Sequence, residues 1–336
     1  MKVLVTGHEG YIGSVLAPML QMAGHAVIGV DSGYFRTSQQ EGGGRRDIRD
    51  LTIADLAGCE AVIHLAALSN DPMGNLLPEL TYEINYHSSV RLARMAKEAG
   101  VSRFLFSSSC SVYGLGSADE FATEESPLKP LTPYAVSKVR TEEDVEKLAS
   151  PYFSPVFLRN ATAYGWSPRF RSDLVLNNLA GWAYTSGEIR ILSDGTPWRP
   201  IVHVQDIGRA FLSMLEAPRA VVHNQVFNVG VNHQNYQVRQ LAEIVQHTNP
   251  GCKISYAEGG GPDPRSYRVD FSKLATSVQA YRPSWNAPLG ADELLQAYRQ
   301  VGLTLDEFNG PRYVRLAQLK QLVHAGLLNE TLRWRS

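Results

Sequence analysis

The chain has 336 residues, 44% hydrophobic and 19% charged, which suits one large α/β unit or two joined lobes and excludes a disordered chain. With 32 basic and 33 acidic residues the net charge is −1, so no basic field exists to hold nucleic acid or an anionic membrane. The three cysteines, Cys59, Cys110 and Cys252, show no paired spacing and no CxxC, which argues against a disulfide framework or a metal site and fits a reducing compartment.

The opening MKVLVTGHEG is a short apolar strand running into glycine, without the apolar stretch of a signal peptide. No run of about 18 apolar residues occurs, so a cytoplasmic protein that does not enter membranes is expected. Residues 3–6, 26–31, 61–67 and 104–107 are near-continuous apolar runs, as strands buried on both faces require. The stretches 12–24 and 80–100 between them are amphipathic and close at Gly24 and Gly100. Thr132 followed by Pro133 reads as an N-cap with proline at the first helical position, opening a helix to about residue 149. A strand at 156–159 is followed by short elements, aromatics and prolines, with helix–strand units near 207–216 and 238–248. This alternation predicts an α/β fold, a Rossmann-type doubly wound parallel sheet with a smaller interleaved C-terminal lobe. Residues 1–160, with part of 200–235 returning, form the sheet domain; 161–336 form mainly the smaller lobe and the tail. The tail from 302 is helical and amphipathic in places and has no assigned role.

The first strand runs straight into Gly7-His8-Glu9-Gly10-Tyr11-Ile12-Gly13, which opens a helix. A turn this tight needs positive φ, a side chain would block a pyrophosphate, and the helix N-terminus offers free N–H groups to that anion. Three glycines alone can also be a plain strand–helix turn. Here they follow a buried strand, and an acidic residue ends the next one. Asp31 lies 18 residues after Gly13 (31 − 13), close to the roughly 20 expected of a carboxylate that binds a ribose 2′-hydroxyl. Such a carboxylate repels a 2′-phosphate and predicts NAD over NADP, although Arg36 nearby could accept that phosphate.

Tyr134-Ala135-Val136-Ser137-Lys138 places a phenol and an ammonium at i and i+4, on one helix face. The ammonium lowers the phenol's pKa from about 10 toward neutrality and makes it usable as an acid/base. YxxxK alone is usually a solvated helix face. Here it follows the dinucleotide cradle and a hydroxyl cluster, Ser107-Ser108-Ser109-Cys110-Ser111, at a strand's carboxyl end, where doubly wound sheets bind ligands. That cluster could also be a strand-ending turn.

Taken in order, these motifs and a late HVxD stretch resemble the extended short-chain dehydrogenase/reductase family, the NAD-dependent epimerase/dehydratases of nucleotide sugars. The resemblance implies that Ser109 and Tyr134 bind the sugar oxygen being oxidised. It implies that Lys138 holds the nicotinamide ribose and tunes Tyr134. Gly7, Gly10, Tyr11, Ile12, Gly13 and Asp31 would hold the dinucleotide, Asp47 and Ile48 its adenine. Leu65, Ala66, Ala67, Asn85 and Ser107 would lie along it. A homodimer through the helices near 80–100 and 133–149 is also implied.

Departures within the family narrow the reaction. Sugar 4,6-dehydratases carry Asp-Glu where this chain has Cys110-Ser111, and glucuronate decarboxylases carry glutamate at the place of Ser111. Cys110 is one residue too early for the cysteine acid of 3,5-epimerases and is expected to be a buried small residue. What remains needs only hydride transfer and the tyrosine: 4-epimerisation through a transient 4-keto sugar, or a 4-dehydrogenase or ketoreductase that stops at the ketone. Residues 167–174 with Asn177 and Asn178 resemble a subgroup that includes heptose 4-dehydrogenases. The substrate would be a nucleotide-diphosphate sugar, held by Asn178, Arg199 and Arg265, with Ser111 and Thr162 near the sugar. Thr162 stands where many 4-epimerases have asparagine, and an arginine expected near Gly260 is absent. His203 is expected to be a packed strand histidine. A non-catalytic NAD-sensing protein would have lost Tyr134 or Lys138, and a reductase of non-sugar ketones would lack Asp31 and the paired diphosphate contacts.

Overall fold

The structure is a computed structural model that describes residues 1–36, 44–69, 71–115, 120–257 and 266–335, side chains 71, 73 and 76 excepted. Arg265 therefore lies outside the described residues.

Six parallel strands form the main sheet: β1 (Lys2–Thr6), β2 (Ala26–Val30), β3 (Ala61–His64), β4 (Arg103–Ser109), β5 (Ser154–Asn160) and β6 (Gln225–Val229). Their spatial order is β6-β5-β4-β3-β1-β2. Thr6 stands opposite Val30 on one side and His64 on the other, and Ser109 opposite Asn160. The chain moves outward from β1 to β2, then crosses to the far side of β1 with β3, so strand order reverses beside β1. Ligands of open α/β sheets sit outside the strand ends at such a reversal.

Apolar residues alternate between the sheet's two faces, as the period of two demands. Val3, Val5 and Leu105 enter one core with Leu16 and Leu20 of helix α1 (Gly13–Met22) and with the helix Val204–Glu216. Leu4, Phe104 and Phe106 enter the other, against Leu92 and Ala96 of helix α2 (Ser88–Glu98) and Val145 of helix α3 (Pro133–Glu146). Thr132 caps α3 by accepting from the Ala135 amide at 3.2 Å, the start that the Thr-Pro pair predicts.

One expectation is corrected and one refined. The strand expected over 61–67 stops at His64, and Leu65–Ala67 form a loop over the glycine turn. The helix expected over 80–100 is present from Pro78 to Glu98, widened into a π turn at Glu83–His87 between Pro78–Tyr82 and α2. Ser88 and Ser89 hydroxyls donate to the carbonyls of Glu83 and Asn85 at 2.9 and 2.7 Å, competing with the helical amide ladder and opening the turn.

A second lobe holds a three-stranded sheet of Asn235–Gln237, Trp198–His203 and Thr162–Tyr164, and a parallel pair, Lys253–Tyr256 with Glu188–Ile191. Helices Val175–Ser186, Val238–Thr248 and Ala287–Val301 enclose its core at Leu176, Leu241, Leu294 and Tyr298. Between these elements the chain returns to the first sheet through Val204–Glu216 and β6. The tail does not stay with this lobe: Leu319, Leu328 and Leu332 join the core of Leu4 and Ile48 under the first sheet. Among the described residues no helix is long and apolar enough to cross a membrane.

Candidate active site

A cleft of about 820 Å³ opens at the carboxyl ends of β1, β3 and β4 and extends to the second lobe. The glycine turn forms its floor. Gly7 has φ +72°, and a Cβ there would meet the Ala66 amide nitrogen at 2.8 Å. A Cβ on Gly13 would fall 2.1 Å from the Gly7 oxygen, so the helix can start this close to the strand only on glycine. The turn is anchored to the second lobe, because Tyr11 donates its hydroxyl to Gly165 O at 2.6 Å and Ser167 donates to Tyr11 O at 2.7 Å.

Asp31 follows β2 and accepts from the amides of Gly33 at 2.8 Å and Glu9 at 3.1 Å. Burial pushes its carboxyl above the usual range, offset in part by those amides. Arg36 is paired with Glu9. Its Nε and Nη2 donate to the two carboxylate oxygens of Glu9 at 2.6 and 2.8 Å. Two acids and a paired arginine thus stand together after β2, a charge arrangement unfavourable to an added phosphate.

Tyr134, Lys138, Ser107, Ser109 and Ser111 all line the cleft. Lys138 is 3% exposed and its Nζ donates to Ser107 O at 2.6 Å, 5.6 Å from the centre of the Tyr134 ring. Burial pulls the Lys138 pKa down to about 7, with Glu142 opposing. Ser109 Oγ accepts from the Ser111 amide at 3.1 Å and so caps the turn Cys110–Tyr113. Ser111 Oγ and Asn160 Oδ1 are buried and have no partner among the described residues, though both side chains line the cleft. Buried polar atoms without partners fit a site that a polar ligand completes. Together with the glycine cradle and Asp31, they make the residues present a fit for a bound dinucleotide and its substrate.

Behind the hydroxyl cluster lies a buried network. Ser108 donates to Glu142, which accepts from Arg159 Nη2 at 2.6 Å, and Arg159 Nη1 donates to Tyr113 Oη at 3.1 Å. Cys110 belongs to this backing layer: it is fully buried, donates to Arg159 O at 3.1 Å, and burial raises its thiol pKa. It is a packed small residue, as expected.

Ile48, Leu65, Ala66, Ala67, Thr162, Asn178 and Arg199 also line the cleft. Asn178 Nδ2 donates to Ser172 O at 2.9 Å, at the start of the helix Val175–Ser186. Asp47 lines it too, gripped by Arg49 through Nη2 to Oδ2 at 2.7 Å. Burial pushes the Asp47 pKa up, but the bonds and charge of Arg49 more than offset that and leave it lowered.

Asn85 is buried beside the cleft: Oδ1 accepts from Leu68 N at 2.8 Å and Nδ2 donates to Leu68 O at 3.1 Å. Its carboxamide holds the loop that lines the cleft. His203 is the packed histidine expected, stacked 3.9 Å from Trp285 with Nε2 2.8 Å from Glu293. Sequence reasoning missed Arg171 and Arg315, which also line the cleft. Arg171 grips Asp173 at 2.7 and 3.0 Å, and the basic run around residues 169–171 was its available signal. Arg315 had none.

The sequence profile described as the NAD dependent epimerase/dehydratase family matches residues 3–230. A UDP-glucose 4-epimerase of Lactobacillus helveticus is 28% identical over 84% of this chain and 92% of its own. A UDP-glucuronate 4-epimerase of Thermodesulfobacterium geofontis is 27% identical over 87% of this chain and 93% of its own. Among solved structures, MoeE5 in complex with UDP-glucuronic acid and NAD superposes with TM-score 0.77 at 28% identity, covering 90% of this chain and all of that one. UDP-glucose 4-epimerase from Thermotoga maritima, with UDP-glucose, gives 0.78 at 26% identity and the same coverage. The profile spans well over half of the sequence and ends just past β6, and on it this chain belongs to the NAD-dependent epimerase/dehydratase family, with NAD as its cofactor.

Proposed function

We propose that the protein is a nucleotide-sugar 4-epimerase. The observation that carries this reading is the convergence of Ser109, Ser111, Tyr134 and Lys138 in one cleft opposite the glycine turn. NAD, when bound, supplies a hydride acceptor and donor. The chain's own work is proton handling and orientation. Tyr134 takes the proton of a sugar hydroxyl and later returns it, and Ser109 hydrogen-bonds the same oxygen. Lys138, fixed on Ser107 O, keeps positive charge near the phenol and the nicotinamide ribose. The residues assigned here are Gly7, Gly10, Tyr11, Ile12, Gly13, Asp31, Asp47, Ile48, Leu65, Ala66, Ala67 and Ser107 for cofactor. Ser111, Thr162, Asn178 and Arg199 hold substrate.

Dehydration and decarboxylation are disfavoured because Cys110 is buried in the backing layer and Ser111 is neutral. Among the described residues the carboxylates lining the cleft are Asp31, Asp47 and Asp173, and the last two are held by arginines. The names of the relatives support inversion at C4 of a UDP-sugar. Residues 1–160 with part of 200–235 would serve NAD and most of 161–336 the substrate. The three buried free cysteines support a cytoplasmic setting, and the outer faces of α2 and α3 are offered as a homodimer surface.

The test is incubation with a panel of nucleotide sugars, following products by NMR and reduced cofactor by absorbance near 340 nm. Appearance of the C4 epimer without accumulating reduced cofactor supports the reading. Stoichiometric reduced cofactor with a keto product overturns it in favour of a 4-dehydrogenase.

A further inference from the structure

The tail brings into the cofactor cleft a cation that the chemistry above does not use. Arg315 opens the helix Arg315–His324, is 5% exposed, and lines the same cleft as Gly10 and Asp31. Its Nη2 donates to Arg169 O at 2.6 Å, and its guanidinium lies 4.1 Å from the centre of the Phe35 ring. Among the described residues no carboxylate forms an ion pair with it. The charges it feels are Arg171 and Arg169, which repel it, and Asp173 and Asp31, which attract it. Asp173 is closed on Arg171, and Asp31 takes the amides of Glu9 and Gly33. Burial, and next Arg171, pulls the Arg315 pKa down to about 9.

A buried guanidinium without a counter-ion is unfavourable unless an anion completes it, and its planar fork suits a phosphate. The side chain is held for that role, with one face on Phe35 and one N–H on a carbonyl. We propose that Arg315 binds the adenosine-side phosphate of the bound NAD, and that the tail carrying it closes that end of the cleft. The adenosine side follows from the neighbours. Phe35 and Tyr34 follow β2 and Asp31, whereas Tyr134 and Lys138 belong to the opposite side of the sheet's reversal point. The tail is fastened there independently: Trp334 Nε1 donates to Ser32 O at 2.7 Å, and Arg49 Nη1 donates to Thr331 O at 2.8 Å. The family profile ends at residue 230, so this assignment comes from the chain's own packing. It rests on NAD being the cofactor.

Cofactor-stripped protein is titrated calorimetrically with NAD, ADP-ribose, adenosine and UDP. Arg315→Gln is expected to weaken NAD and ADP-ribose by about tenfold or more, the size of a lost charge-assisted hydrogen bond, and to leave adenosine and UDP unchanged. Arg315→Lys keeps the charge without the fork and should show a smaller loss of the same pattern; it decides the matter if the glutamine variant does not fold. Unchanged ADP-ribose binding overturns the assignment. So does adenosine binding that falls in step with ADP-ribose, or a loss confined to UDP. A wild-type protein that fails to bind NAD overturns the functional reading and this one together, whereas normal wild-type binding with an insensitive variant overturns this one alone.

Discussion

Lys138 places its ammonium 2.6 Å from the main-chain oxygen of Ser107, so the helix that carries Tyr134 is bonded directly to the strand end that leads to Ser109. One buried side chain therefore sets the spacing of the two proposed proton-handling groups. The same burial draws its pKa down to about 7. Unfolded lysine titrates near 10.4, so between roughly pH 7 and 10 the unfolded chain binds the extra proton. Stability contributed by this site consequently rises with pH across that window, and its burial penalty is fully present below about 7. Lys138→Met should then raise the melting temperature more at pH 6 than at pH 10 while lowering kcat by roughly 100-fold or more. A melting gain that is flat across pH would contradict the assignment.

Tyr134→Phe removes only the phenolic oxygen. Turnover of the epimerised sugar should fall by about 100-fold to 10,000-fold, with NAD affinity within a few-fold of wild type by titration. Near-normal turnover in this variant would reject tyrosine as the acid/base.

The bidentate Glu9–Arg36 pair and the neighbouring Asp31 are proposed to set cofactor choice. Asp31→Ser should weaken NAD by about tenfold and leave NADP unchanged or slightly improved. Adding Glu9→Gln loosens Arg36 and removes a second negative charge, so the double variant should bind NADP better than either single one. Fluorescence titration with both cofactors reads this out, and a double variant that binds NADP no better than the single ones would argue that Arg36 does not reach the ribose.

Asn85 satisfies both the N–H and the C=O of Leu68, 17 residues away, from a position with 1% exposure. Asn85→Ala should cost about 1–3 kcal/mol in chemical denaturation of the cofactor-free protein. If Asn85 acted instead by touching NAD, the cofactor-free stability would be unchanged and only NAD binding would drop.

Much of the site was legible because its signals are local. The glycine turn, the i and i+4 pair Tyr134 and Lys138, and the serine run each depend on backbone geometry within a few residues, which spacing in the sequence encodes directly. Alternating apolar runs and helices likewise implied a parallel sheet, since only strands buried on both faces read that way. The bonds of Asn85 to Leu68 were not legible, for the complementary reason. Its position in the order of motifs suggested a cofactor contact, but whether a carboxamide turns to the cleft or to Leu68 depends on the π turn opened by Ser88 and Ser89.

Arg36, Arg171 and Arg315 show the same division more sharply. An arginine's reach and charge are evident from its identity, yet its partner is chosen among all carboxylates and carbonyls that folding brings near. The Arg315–Arg169 bond spans 146 positions, and no periodicity or motif records a contact of that range. Sequence alone determined the sheet, the cradle and the phenol–ammonium pair. Only tertiary packing decided which cations face the cleft and that the tail is fastened to Ser32 and Arg49, because those outcomes depend on distances between segments and on the cost of burying charge.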